Sequence, residues 1–408
     1  MKKHRSSYRN RITIILLLLL LLILSAFLLF LMIKKDNFLS QNSEQNATDI
    51  GANSETSKDE DASSDQKIDT MISEMSLEEK VCQLFFITPE SLTGTDVVTQ
   101  AGDTTKACLE QYPVGGLIYF SQNIDTEKQL TSMISNSQSY SKIPLFIGVD
   151  EEGGSLVARI ANHPNFDVTT FPDMAEIGAS GDPSKAYEVG STIGSYLSDY
   201  GFNLDFAPVA DVLINPENTA IGSRSFGSDP SVVSEMVKEE VLGLQDQQVS
   251  AVLKHFPGHG ATTEDSHNGA AIVNRSLDEL RNAEFLPFEA GIQAGADFVM
   301  VGHLQVPQVI PDDTPASLSS VMITDILRNE LGFDGIVITD SLSMGAVTDY
   351  YTPAEAAVMC IQAGGDIILM PQDFKQAYQG VLDAVNNQTI SEDRINESVK
   401  RILRVKYQ

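Results

Sequence analysis

GIVITD, residues 335–340, is the stretch on which the fold turns. Four consecutive β-branched side chains (Ile336, Val337, Ile338, Thr339) follow a glycine and stop at Asp340, with no polar alternation between them. A run that is apolar on both faces belongs to a strand covered on both sides, as in a parallel sheet flanked by helices. Working outward in both directions, the same theme recurs as LFFI (84–87), GLIYF (116–120), PLFIGVD (144–150), FNLDFAPV (202–209), SAVLKHF (250–256), FVMVGH (298–303) and DIILMP (366–371). Between most of these runs lie segments with helical periodicity, such as 231–247 and 276–295. Ser76 and Glu79, ahead of EEKVCQLFF, form a capping-box start for the first helix of the series. Eight strand–helix units predict a closed (β/α)8 barrel of the TIM type rather than an open doubly wound sheet. No G-x-G-x-x-G follows the first strand, which weakens the open-sheet alternative.

Chemistry in such barrels gathers at the C-terminal ends of the strands. Asp150 ends the third run, Lys254 and His255 the fifth, His303 the sixth and Asp340 the seventh. A strand-end aspartate taken singly can be no more than the N-cap of the following helix, and Asp340 is open to that reading as well as to that of a nucleophile. Asp150, in GVDEEGG, can hold sugar hydroxyls through both carboxylate oxygens, and Arg159 and Arg224 can add planar multi-donor contacts. Either arginine can instead pair with a surface acid. The segment KHFPGHGATTEDSHNG (254–269) carries three of the six histidines. His255 and His259 are four apart, as in a zinc-binding helix, but Pro257 and Gly258 between them break a helix, so no metal is expected. Asp265 and His267 fit a carboxylate–imidazole pair in which the acid keeps the ring protonated to higher pH, a suitable general acid.

Composition bounds the partners. The 408 residues hold 27 Lys and Arg against 56 Asp and Glu, a formal net charge of −29, which argues against nucleic acid. Three cysteines (Cys82, Cys108, Cys360) at irregular spacings give neither a disulfide framework nor a thiolate zinc site. Residues 12–33 are 22 positions without a charge, rising roughly 33 Å as a helix, enough to cross a bilayer core. Lys2, Lys3, Arg5, Arg9 and Arg11 precede them, so the positive-inside rule leaves residues 1–11 cytoplasmic and exports the rest. A cleaved signal peptide competes with this reading, but the apolar run exceeds a usual signal core and no A-x-A site follows. Residues 34–67 read as a disordered, polar, acidic linker, and 68–408 as the barrel domain. The expected place is the cell membrane, single-pass, with the barrel outside the cell.

GVDEEGG, SRSFGSDP, KHFPGHG-x6-SH and LGFDGIVITDSLSM, in that order, resemble glycoside hydrolase family 3, specifically its β-N-acetylglucosaminidase branch, over nearly all of residues 68–408. The resemblance implies a (β/α) barrel that cleaves terminal β-linked N-acetylglucosamine, from peptidoglycan fragments or related glycans, with net retention. It puts the nucleophile on Asp340, the acid/base pair on His267 and Asp265, and sugar binding on Asp150, Arg159, Arg224, Lys254 and His255. It implies no cofactor, no metal and no obligate protein partner. The stretch GGSLVAR is one residue longer between its glycines and Arg159 than the usual pattern, which sets the reach of Arg159 apart from that of its counterpart. No counterpart is matched of the second domain that carries the acid/base carboxylate in many longer relatives, which fits the histidine version. Retaining hydrolysis usually employs two carboxylates; here an imidazole takes the second role. An imidazole also repels phosphate less than a carboxylate does, so a phosphorylase stays open, as do a β-glucosidase or xylosidase of the same family, a metal-dependent hydrolase and a non-catalytic sugar-binding barrel.

Overall fold

In the computed structural model, which describes residues 65–263, 269 and 271–408, all eight apolar runs contribute to one parallel sheet. Its strands are β1 (Phe85–Ile87), β2 (Gly116–Ile118), β3 (Phe146–Val149), β4 (Leu204–Asp205), β5 (Ser250–Phe256), β6 (Phe298–Val301), β7 (Ile336–Thr339) and β8 (Ile368–Leu369). They are ordered β7-β6-β5-β4-β3-β2-β1-β8. The two ends meet through a parallel bridge between Ile338 and Ile367, which closes the barrel. β7 lies in register on β6, with Ile336 opposite Phe298 and Thr339 opposite Val301, so Asp340 emerges at the C-terminal rim. β4 is short; its neighbour β5 instead picks up Val209 opposite Lys254, beyond the cis Ala207–Pro208 bond.

Aromatic rings fill the barrel interior. Phe86 lies against Phe206 at 5.5 Å and Phe146 against Phe298 at 5.1 Å between ring centroids, both edge-on. Gly148 on β3 is demanded by this packing: a Cβ there would meet Phe206 and Phe86 ring carbons at 2.9 Å. Outside run the helices, several with a proline in the first turn behind a polar cap, as at Asp182, Asp229 and Thr352. The capping box at Ser76 and Glu79 is present as read from the sequence. One helical segment differs. The periodic stretch 276–295 divides into Leu277–Asn282 and Phe285–Gln293, because Pro287 cannot donate to the carbonyl of Ala283 and its ring would clash there.

Residues 68–408 form one compact unit. Among the described residues no helix is long and apolar enough to cross a membrane; the expected span 12–33 and almost all of the linker lie outside them.

Candidate active site

Asp150 follows β3 and Lys254 stands near the end of β5, so neighbouring parts of the rim bring them together. Lys254 Nζ lies 3.0 Å from Asp150 Oδ1 and 2.5 Å from Glu152 Oε1. Arg224, from a short 3-10 turn after β4, closes on the same acid as a fork: Nε to Oε2 and Nη2 to Oε1 of Glu152, both 2.7 Å. The third nitrogen of Arg224 donates to the carbonyl of Ala220. Burial alone would push the Glu152 carboxyl upward, but Lys254 and Arg224 override it and hold Glu152 at about 2. Burial likewise works to discharge the Lys254 ammonium, which Glu152 and Asp150 nonetheless hold above its ordinary value. Glu152 and Lys254 therefore stay ionised, and Asp150, half-buried, opens to the cavity.

His255 is fixed by a carboxylate that lies outside all the motifs. Asp211 is fully buried; its Oδ2 is 2.7 Å from His255 Nδ1, and its Oδ1 accepts the backbone N–H of His259 at 2.6 Å. Burial favours the neutral acid, but His255 and the bonds it donates outweigh that and lower the Asp211 carboxyl. With Nδ1 taken by Asp211, His255 turns its other edge to the cavity it lines. The ring of His259 sits 6.0 Å from that of His255, and its Nδ1 is 2.9 Å from Thr262 Oγ1. Burial is the chief reason that the His259 imidazole titrates below its usual range. The two rings thus have separate partners, and no cluster of three or more potential ligands for a metal ion occurs among the described residues. His303, named from its place at the end of β6, is buried and bonds Ser317 Oγ at 2.7 Å and the Ser341 carbonyl at 2.8 Å. It braces the segment that follows Asp340.

Asp340 does not cap a helix. The next one, Gly345–Thr348, starts from Met344, while Asp340 Oδ1 accepts the N–H of its neighbour Ser341 at 2.7 Å and its own N–H bonds Val301 across the barrel wall. Its carboxyl opens on a cavity of about 430 Å³ that Asp150, Glu152, Arg159, Arg224, Lys254 and His255 also line. Phe120, Phe206, Met300, Met344 and Met370 add apolar surface to its lining, and Ser341 and Ser343 add hydroxyls. Six of the eight residues expected at the site thus share one cavity. The other two, Asp265 and His267, lie outside the described residues.

Sequence reasoning passed over Glu152, Asp211 and Glu151. Glu152 was findable, since positions 150 and 152 of a strand end share a face. Asp211 was not, because nothing in FNLDFAPVAD marks the second acid as the partner of a histidine 44 positions later. Glu151 points the other way, into the protein. Its carboxylate accepts the N–H groups of Ile160 (2.7 Å) and Ala161 (2.8 Å) and the hydroxyl of Tyr196 (2.8 Å), clamping the loop that carries Arg159.

The family model described as "Glycosyl hydrolase family 3 N terminal domain" matches residues 76–405. The chain is 33% identical to "Beta-hexosaminidase A" of Pseudoalteromonas piscicida, over 73% of this chain and 54% of that protein. A solved glycoside hydrolase family 3 β-N-acetylglucosaminidase from Paenibacillus sp. str. FPU-7 superposes with a TM-score of 0.76 at 39% identity, covering 81% of this chain and 62% of that one. A β-glucoside phosphorylase, BglX, superposes with a TM-score of 0.75 at 26% identity, covering 84% and 61%. This chain therefore spans a little over half the length of each of these three proteins. The barrel order, the rim cavity and a match over most of the chain lead to one conclusion: the chain belongs to the glycosyl hydrolase family 3 N-terminal domain family.

Proposed function

We propose that this chain is a retaining, exo-acting β-N-acetylglucosaminidase that removes terminal β-linked N-acetylglucosamine from peptidoglycan fragments or related amino-sugar glycans. The observation that carries the reading is that Asp340 opens on the same cavity as the Asp150–Lys254–Glu152–Arg224 network and His255. Asp150, Arg159, Arg224, Lys254 and His255 hold the terminal sugar. Asp340 attacks its anomeric carbon while the bond to the leaving oxygen breaks, and His267, kept protonated by Asp265, gives that oxygen its proton. In the second step neutral His267 takes a proton from water, which attacks the same carbon and frees Asp340. The relatives named hexosaminidase and N-acetylglucosaminidase support the sugar. The likeness to a protein named a β-glucoside phosphorylase supports a second reading, in which phosphate replaces water in the second step.

The test is hydrolysis of aryl β-glycosides (N-acetylglucosaminide, glucoside, xyloside) with and without phosphate. The N-acetylglucosaminide should be preferred and phosphate dispensable; formation of sugar 1-phosphate would select the second reading. Asp340→Ala should abolish turnover. His267→Ala should release nitrophenol in a burst and then slow by roughly 10²- to 10⁴-fold, with azide restoring turnover as the β-glycosyl azide. An α-azide, or full activity of His267→Ala on an unactivated disaccharide, would overturn the assigned roles.

A further inference from the structure

The segment after β4 binds the loop after β5 at several points. Asp211 Oδ1 accepts the N–H of His259, the N–H of Asn215 donates to the Gly260 carbonyl at 2.9 Å, and Asn215 Nδ2 donates to the Thr262 carbonyl at 3.1 Å. The two backbones touch: a Cβ on Gly260 would lie 2.0 Å from the Val212 carbonyl oxygen. Asn218, 3% exposed, completes the series. Its Nδ2 lies 2.9 Å from the His259 carbonyl and 3.0 Å from that of Thr262, while its Oδ1 accepts the N–H of Ile221 at 2.8 Å. The 3-10 turn that carries Arg224 begins directly after Ile221. Two carbonyls need donors and one N–H needs an acceptor, so the orientation of the amide is fixed.

The two ends of this amide do different work. The bond to Ile221 is a local cap that an aspartate makes equally well. The donors reach 41 and 44 positions along the chain, so they have no part in that turn. They hold residues 259–262, from which the chain runs on to Asp265-Ser266-His267.

We infer that Asn218 is a positioning residue for proton transfer, tying the backbone that leads into Asp265 and His267 to the loop that brings Arg224 to the sugar. The inference rests on the proposed function for the role of His267. A proton donor must come within hydrogen-bond reach of the leaving oxygen, and an error of about 1 Å in its placement can cost on the order of 10²-fold. Without the two donors, the carbonyls of His259 and Thr262 lose a partner inside the protein, and the 259–262 backbone shifts relative to Arg224 to replace it.

The experiment measures kcat/KM of the full chain on 2,4-dinitrophenyl and phenyl 2-acetamido-2-deoxy-β-glucosides, whose leaving groups need little and much protonation. Asn218→Asp keeps the acceptor for Ile221 and removes both amide donors. It should raise the dinitrophenyl-to-phenyl ratio about tenfold or more, while inhibition by N-acetylglucosamine stays near that of the wild type. His267→Ala alone should raise the ratio by roughly 10²- to 10⁴-fold, and adding Asn218→Asp to it should leave the ratio where it was. Asn215→Ala, which removes one side-chain bond to Thr262, should move the ratio the same way by a smaller factor, and it carries the test if Asn218→Asp does not fold. An equal loss on both substrates, with His267→Ala still showing its own leaving-group dependence, would overturn the inference and leave the acid role of His267 standing. So would a rise in the ratio that persists without His267. A ratio raised by Asn218→Asp but not by His267→Ala would overturn the acid role, and with it the route through His267.

Discussion

Glu240 is a carboxyl kept from water beneath the ionised network. It is 1% exposed on the helix Pro230–Gln245, and its Oε2 is without a hydrogen-bond partner among the described residues. Burial and the nearby charge of Glu152 push it up to about 8, against a smaller pull from Lys254. Glu152, also buried, goes the opposite way because two cations touch it. The raised value has a definite sign: the folded state binds the proton more tightly than the unfolded one. Glu240 therefore costs nothing below its ordinary value near 4.5, and the stability it forfeits grows as the pH rises from there towards 8. Glu240→Gln keeps the shape and removes the titration, so it should stabilise the fold by on the order of 3 kcal/mol at pH 7 and hardly at all at pH 4. Denaturant unfolding of the two proteins at both pH values checks this; an equal gain at pH 4 would mean that packing, not ionisation, is responsible.

At the scale of elements, the helices Pro183–Tyr200 and Pro230–Gln245 approach until backbone meets backbone. A Cβ on Gly190 would lie 2.4 Å from the Glu240 carbonyl oxygen, and one on Gly243 would lie 2.5 Å from that of Tyr187. Backbone atoms cannot step aside as a flexible side chain can. Gly190→Ala should gain up to about 1 kcal/mol of helix propensity but lose more to the forced separation, for a net loss of roughly 1–2 kcal/mol. A lowered urea midpoint would bear this out, and an unchanged or raised one would show that the helices can slide apart freely. These glycines also mark where sequence reading stops. All eight strands were legible because a continuous β-branched run has few other uses, and Asp150, Lys254, His255 and Asp340 were legible because they end such runs. A helical glycine reads only as a propensity penalty, since its value lies in a partner far along the chain. Asp211 was invisible for the same reason, as was the break before Pro287, where a strong periodicity outweighed one proline.

For the molecule as a whole, charge decides how the barrel could be held at a membrane. The whole chain carries a net charge of −29 and is repelled by an anionic lipid surface, so electrostatic adhesion does not hold the barrel there. We propose that residues 12–33 anchor it instead, with 34–67 as a tether whose root-mean-square reach is on the order of 30 Å, enough to let the rim cavity meet glycan away from the bilayer. The full chain should then sediment with membranes, resist extraction by 1 M salt or carbonate, and dissolve in detergent. Limited proteolysis within residues 36–67 should free active enzyme into the supernatant, because the described residues that line the cavity all come after 68. Release by salt alone would replace the anchor with a peripheral contact. Soluble, active enzyme lacking residues 1–33 from the outset would point to cleavage after the apolar run.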